Sequence, residues 1–164
     1  MKIFGFAGYS GSGKTTLIVQ LIPLFVEKGL RVSLIKHAHH DFDVDMPGKD
    51  SYRHRKAGCA EVLVTGGQRW ALMHELHDEP EPTLEQLLAH FSPCDLVLVE
   101  GLKKEPVPKL EIYRKENGKP LLFPVDPHIV GVATDSVVST GLPQLDINQP
   151  QAIADFILNF LERK

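Results

Sequence analysis

Residues Gly8-Tyr9-Ser10-Gly11-Ser12-Gly13-Lys14-Thr15 read G-x-x-x-x-G-K-[ST], and no other stretch restricts the fold of this chain as strongly. The preceding Lys2-Ile3-Phe4-Gly5-Phe6-Ala7 has the pattern of a short buried strand, and Thr16-Leu17-Ile18-Val19 opens an apolar helix. Glycines at these spacings let the backbone curl so that successive N–H groups turn inward on an anion. The main-chain amides of Gly8, Ser10, Gly11, Ser12, Gly13, Lys14, Thr15 and Thr16 are the expected cradle, and the helix N-terminus adds its dipole. Lys14 is placed to reach β- and γ-phosphates, and Thr15 to hold Mg²⁺ through its hydroxyl. A Gly/Ser turn can match the pattern by chance, but seldom between a buried strand and an apolar helix. The sequence points to a nucleoside triphosphate as ligand.

At 164 residues, 43% of them hydrophobic, the chain can bury a core and is expected to form a single domain over 1–164. A net charge of −3 gives no reason to expect nucleic acid as a partner. No apolar run approaches the roughly 20 residues that cross a bilayer. The first residues belong to the strand before the loop rather than to a cleavable leader. A cytoplasmic protein without membrane contact is the expectation. Cys59 and Cys94 are too few for a disulfide framework or a four-cysteine zinc site, and each is read as a small buried hydrophobe.

The remaining segments alternate between strand and helix patterns. A first helix runs from Lys14 to near Gly29 with a kink expected at Pro23, and Arg31 to Lys36 follows as a strand. Asp50 or Ser51 is expected to cap a short helix through Ala57, closed by Gly58. Glu61 to Thr65 and Arg69 to His74 flank Gly66-Gly67-Gln68 as an antiparallel hairpin. Thr83 and Gln86 fit a capping box for a helix over Leu84 to Phe91. Asp95 to Gly101 and Ile129 to Ala133 read as core strands, Leu110 to Tyr113 as an antiparallel or edge strand, and Gln151 to Leu161 as a closing helix. This order implies a layered α/β fold of the phosphate-loop type: a mainly parallel sheet flanked by helices, with an added antiparallel hairpin.

In open α/β sheets, ligands gather at the carboxyl ends of strands. Glu100 follows the apolar run Leu96 to Val99 and so emerges where a Mg²⁺ on Thr15 needs a second protein contact. Lys14 and Glu100 are the candidate catalytic residues. Gly101 beside Glu100 is read as allowing close approach of the backbone to the γ-phosphate. After the second strand comes His37-Ala38-His39-His40-Asp41-Phe42-Asp43-Val44-Asp45, read as a switch loop, with a separate transition-metal site or a solvated loop as alternatives. The acids at 41, 43 and 45 share one side of an extended segment, and Phe42 and Val44 on the other are expected to pin it to the core. Asp45 is chosen as the acid beside nucleotide and metal. The basic run Arg53 to Lys56 either embraces an anion or forms the wet face of a helix. Trp70 is read by default as a core residue, with an exposed partner surface as the alternative.

Taken together, the phosphate loop, His39-His40-Asp41-Phe42-Asp43-Val44-Asp45, Pro47-Gly48-Lys49-Asp50-Ser51, Arg55-Lys56-Ala57-Gly58, Gln68 to Met73 and Leu98-Val99-Glu100-Gly101 resemble the molybdopterin-guanine dinucleotide biosynthesis adaptor proteins, the MobB family. The similarity extends to Leu145-Asp146-Ile147 and the last helix. The resemblance implies a GTP-binding homodimer with weak, Mg²⁺-dependent GTPase activity. It also implies a partner, the guanylyltransferase that attaches GMP to molybdopterin, with residues 37–51 facing that partner or the pterin. Gly11 to Thr16 then hold the phosphates, while Thr15 and Glu100 serve Mg²⁺.

Two features depart from related nucleotide-binding proteins. The extra lysine that dimeric ATPases of the wider superfamily carry early in the loop is replaced here by Tyr9-Ser10-Gly11, and no Asn-Lys-x-Asp guanine reader is present. Asp135, in Ala133-Thr134-Asp135, is the nearest candidate to accept from guanine N1 and N2; an ordinary turn aspartate is the other reading. A small-molecule kinase and a non-hydrolysing GTP-binding adaptor remain as alternative functions.

Overall fold

The strand that feeds the phosphate loop lies inside a parallel sheet, and its sequence explains why. β1 (Lys2–Ala7) is buried over its last four residues, and β5 (Leu96–Glu100) is buried throughout. Only strands covered on both faces carry such continuous apolar runs. The structure is a computed structural model that describes residues 1–38 and 42–163. Its elements in chain order are β1, α1 (Lys14–Glu27), β2 (Val32–Lys36), α2 (Asp50–Lys56), β3 (Glu61–Thr65), β4 (Trp70–His74) and α3 (Leu84–Ala89). They continue with β5, β6 (Lys109–Tyr113), a 3₁₀ turn (Lys115–Asn117), β7 (Ile129–Thr134), β8 (Gln144–Asp146) and α4 (Pro150–Glu162).

Two units are defined by their internal packing, where the sequence suggested a single domain. One comprises Met1–His37 with Leu87–Lys164, and the other Ala38–Gln86. The first unit holds a six-stranded sheet in the order β2-β5-β1-β6-β7-β8, with every adjacent pair parallel. One face is covered by α1 and α4. Phe4 and Phe6 of β1, Leu98 of β5 and Ile112 of β6 pack there with Leu21 and Phe25 of α1 and Ile153 and Ile157 of α4. Burial of a side chain of this size contributes about 1.5–3 kcal/mol, so this layer fixes α1, and with it the loop at its N-terminus.

The opposite face differs from the sequence-based expectation. Leu110-Glu111-Ile112 alternates as an edge strand does, yet β6 lies inside the sheet, parallel to both β1 and β7. The polar member of that alternation is buried: the Glu111 carboxylate accepts the Leu122 and Phe123 amides at 2.6 and 2.9 Å. Burial raises the Glu111 pKa against the pull of those two bonds. Lys109 is buried on the same strand and bonds Asp126 at 2.9 Å. The alternation reflects a carboxylate satisfied by a loop, not a face open to water.

In the second unit, β3 and β4 form the expected hairpin, paired Glu61↔His74 through Thr65↔Trp70. It is a separate two-stranded sheet, so the main sheet contains no antiparallel member. Thr83 and Gln86 make the expected capping box: Thr83 N donates to Gln86 Oε1 at 2.8 Å, and Gln86 N donates to Thr83 Oγ1 at 3.3 Å. α2 begins one residue after Lys49, with no side-chain cap from Asp50 or Ser51. Cys59 is exposed and Cys94 half-buried, in place of the buried positions expected. No helix among the described residues is long and apolar enough to cross a membrane.

Candidate functional site

β1 ends at Ala7 against buried neighbours, and the chain must turn within the loop to enter α1. Gly8 sits where any side chain would collide: a Cβ there would lie 2.6 Å from the Ile112 carbonyl and 2.8 Å from Ser12 Oγ. The turn therefore closes only with glycine, which presses the loop onto β6. Ser12 Oγ is buried and has no hydrogen-bond partner among the described residues. The Lys14 ammonium donates to the Gly8 and Tyr9 carbonyls, each at 2.9 Å, and so spans the start of its own loop. Burial lowers its pKa; Glu100 opposes that shift, and Lys103 and Lys36 add to it. The ammonium of Lys103 also lies over the Tyr9 ring, 5.1 Å from its centroid. Ser10, Gly11 and Thr16 are exposed along the loop and the first turn of α1.

Glu100 closes the other side. The register pairs Phe6 with Glu100 and Lys36 with Glu100, so the carboxylate stands at the ends of three adjacent strands. Its Oε1 accepts the Thr15 hydroxyl at 2.7 Å, and its Oε2 lies 4.0 Å from Lys36 Nζ. Gly101 follows with φ +105, and a Cβ there would lie 3.0 Å from the His37 carbonyl oxygen. That close approach is to the chain leaving β2, whose His37 N donates to the Glu100 carbonyl at 2.8 Å. The sequence identified the glycine, and the structure gives it a structural reason.

Beyond β6 and β7 lies a group of residues that sequence reasoning captured only at Asp135. Arg114 Nη1 donates to Asp135 Oδ2 at 2.8 Å. The same guanidinium approaches the loop: Nε and Nη2 lie 3.6 and 3.8 Å from where a Cβ on Gly13 would stand. Asn117 reaches within 3.9 Å of the corresponding point on Gly11, and its Nδ2 is buried without a partner among the described residues. Asp135 also lines a cavity of about 330 Å³, with Thr134 and Ser136 beside it and Gln144, Leu145 and Asp146 opposite. That volume is at the lower end of small-molecule sites. The signal for Arg114 lay in the sequence, one residue past β6, but reading β6 as an edge strand moved it away from the loop.

The 38–86 unit holds the remaining predicted acid. Asp45 and Asp43 both bind the Arg55 guanidinium, Asp45 at 2.7 Å, and Glu75 accepts from it at 3.1 Å. The two acids share one side of the segment, as expected, and Asp41 lies outside the described residues. Phe42 and Val44, however, are 71% and 67% exposed rather than pinned to the core. A buried guanidinium demands carboxylates, so the acids turn inward and the apolar residues turn out. The Arg55 bond holds the Asp45 carboxyl below the usual carboxylate range, and the metal role assigned to Asp45 therefore has a competing partner. Arg55 is neither part of a wet helix face nor free for an anion. Trp70 is 64% exposed, and by register it shares a hairpin face with Leu63 and Leu72. The default of a core tryptophan does not hold.

The loop, a threonine at its helix entrance and a buried glutamate bonded to that threonine fit a Mg²⁺–polyphosphate group. The pattern of the family described as Molybdopterin guanine dinucleotide synthesis protein B matches residues 3–135. The chain is 44% identical over 167 aligned positions to the "Molybdopterin-guanine dinucleotide biosynthesis adapter protein" of Escherichia coli (strain K12), covering 100% of this chain and 95% of that protein. It is 46% identical to the protein of the same name from Haemophilus influenzae, over 98% of this chain and 90% of that one. A crystal structure described as Bacillus subtilis MobB superposes with a TM-score of 0.76 at 28% identity, covering 98% of both chains. From the match over most of its length and the identity with these relatives, this chain belongs to the molybdopterin guanine dinucleotide synthesis protein B family.

Proposed function

We propose that the chain is an adapter in molybdopterin guanine dinucleotide biosynthesis that binds GTP with Mg²⁺ at residues 8–16 and hydrolyses it slowly. Its partner on this reading is the guanylyltransferase that joins GMP to molybdopterin. The adapter role follows the family and the names of the relatives. The observation that carries the nucleotide reading is the Thr15–Glu100 hydrogen bond at the entrance of α1, beside Lys14. Thr15 and Glu100 are the residues that would hold the metal. Bound there, Mg²⁺ supplies charge neutralisation on the phosphate oxygens. Lys14 exchanges its two carbonyl partners for phosphate oxygens, and the amides of Gly11 to Thr16 orient the chain of phosphates.

Slow turnover follows from what surrounds the loop. Hydrolysis needs a group that orients water and a cation that stabilises the departing charge. Arg114, which faces the loop at Gly13, offers a cation but no acceptor that could orient the water. A kinase reading is weakened because Arg55, in the compact basic run, is already bound by Asp43, Asp45 and Glu75. Asp135, which lines the open cleft with Gln144 and Asp146, is the proposed reader of guanine. A homodimer through the hairpin face of Leu63, Trp70 and Leu72 is part of the same proposal, since a two-stranded hairpin is marginally stable by itself.

The test is calorimetric binding of GTP and ATP with and without Mg²⁺, followed by pull-down of the guanylyltransferase. Preference for GTP, loss of binding in Lys14→Ala and capture of the transferase are the expected results. A Lys14→Ala chain with unchanged GTP affinity overturns the site. Multiple-turnover GTP hydrolysis with the transferase present separates a slow GTPase from an adapter that only binds.

A further inference from the structure

Arg114 stands between two subsites of the proposed nucleotide site and is bonded to one of them. Its Nη1 donates to Asp135 Oδ2 at 2.8 Å, and both side chains are partly open to solvent, at 29% and 28%. Its Nε and Nη2 face the loop at Gly13 and make no hydrogen bond among the described residues. A guanidinium has five N–H donors in a planar fork, a geometry matched to carboxylate and phosphate alike. Gly13 leaves room for it, since a side chain there would occupy the space between loop and guanidinium. One short turn further on, both Oδ1 and Nδ2 of the half-buried Asn117 lie within 4 Å of the Gly11 Cβ point, and Nδ2 has no partner among the described residues. The connection after β6 thus presents two sets of uncommitted donors to the phosphate loop.

Asp135 has the complementary problem. The guanine edge offers N1–H and N2–H side by side, and a carboxylate reads them best in its own plane with one oxygen facing each, free of a cation's competition. Arg114 occupies one of them.

We propose that Arg114 is shared between the base and phosphate subsites: a polyphosphate in the loop draws its guanidinium off Asp135 and so frees that carboxylate to read guanine. The inference rests on the GTP-binding reading above and adds to it a coupling between the two ends of the ligand. Each end then binds more tightly when the other is filled, because both favour the arrangement in which the Arg114–Asp135 pair is open. Such coupling is reciprocal by necessity. Guanine selectivity then belongs to the triphosphate-loaded site and is weak toward the free nucleoside.

The experiment titrates the chain with guanosine and with inorganic pyrophosphate, each alone and with the other saturating, in Mg²⁺. GTP binding to the unsubstituted chain is measured first. For the unsubstituted chain, pyrophosphate should tighten guanosine binding by up to about fivefold, the scale of a partly exposed ion pair. In Arg114→Ala, guanosine should bind with equal affinity in both conditions, and pyrophosphate should weaken by about tenfold through loss of a charged donor. Arg114→Lys, which keeps the charge without the fork, should retain most of the pyrophosphate affinity and part of the coupling.

Absence of GTP binding to the unsubstituted chain defeats the nucleotide reading itself. GTP binding with guanosine affinity indifferent to pyrophosphate overturns the coupling alone. Coupling that survives in Arg114→Ala overturns it as well. Thermal unfolding of each variant identifies any loss that is merely structural, and a destabilised Arg114→Ala leaves Arg114→Lys to decide.

Discussion

Thr15 and Glu100 stand 85 positions apart in the chain, yet the threonine hydroxyl donates to the glutamate at 2.7 Å. The bond joins the N-terminus of α1 to the end of β5, across a register that sets Phe6 beside Glu100. If these two oxygens serve Mg²⁺, Glu100→Gln should weaken Mg²⁺-dependent GTP binding by roughly ten- to a hundredfold, the range seen when groups that orient metal ligands are lost. Binding measured in chelator should change little. Equal losses with and without Mg²⁺ would assign Glu100 to the fold rather than to the metal.

Arg55 is the hub of the 38–86 unit, bound by Asp43, Asp45 and Glu75 and set 5.3 Å over the Tyr52 ring. Replacing it by alanine leaves three carboxylates without a shared cation. Hydrogen exchange should then accelerate in residues 42–49 and at the end of β4, while the 96–100 strand keeps its protection. Unchanged exchange in 42–49 would show that other contacts hold that segment.

The buried Lys109 ammonium pairs with the half-buried Asp126 carboxylate at 2.9 Å. Asp126→Ala strands the Lys109 ammonium and should cost about 3 kcal/mol in denaturant unfolding, whereas replacing both by apolar residues should cost far less. Burial opposes the Asp126 charge, but Lys109 and the His128 amide outweigh it and leave its pKa lowered. A lowered carboxyl contributes stability above its unfolded value of 3.8, and loses it as pH falls through the folded value. Glu111, raised by burial, has the opposite sign: its contribution is largest below 4.5 and fades as pH rises through its folded value. Acid unfolding of Asp126→Ala should therefore be less steep below pH 3.8 than that of the unsubstituted chain.

His74 bridges two glutamates on the hairpin, with Nδ1 2.9 Å from Glu61 and Nε2 3.3 Å from Glu79. Glu61 foremost, then Glu79, raises its pKa above 6.5. A raised histidine stabilises fully below its unfolded value and ceases to do so as pH climbs through the folded one. Exchange protection of the β3–β4 hairpin should fall as pH is raised past the titration of His74 observed by NMR. In His74→Gln that pH dependence should vanish, and its persistence would place the titrating group elsewhere.

Local chemistry makes several elements legible in the sequence itself. The phosphate loop, the hairpin around Gly66-Gly67 and the Thr83–Gln86 capping box are each set within a few residues, by backbone geometry or by a side chain reaching its own turn. β5 was equally plain, because an uninterrupted apolar run ending in Glu100 suits a strand covered on both faces. Other features depend on which distant groups meet. The Leu110 to Tyr113 alternation suits an antiparallel or edge strand, but the Leu122 and Phe123 amides satisfy Glu111 and β6 runs parallel inside the sheet. The sequence left Arg55 either to embrace an anion or to lie on a wet helix face, and only the fold brings Asp43 and Asp45 onto it. Arg114 gained its place beside Gly13 only once β6 lay next to β1. A polar side chain carries the same letter whether water or a distant partner satisfies it, so its role was settled by the packing that brings the partner close.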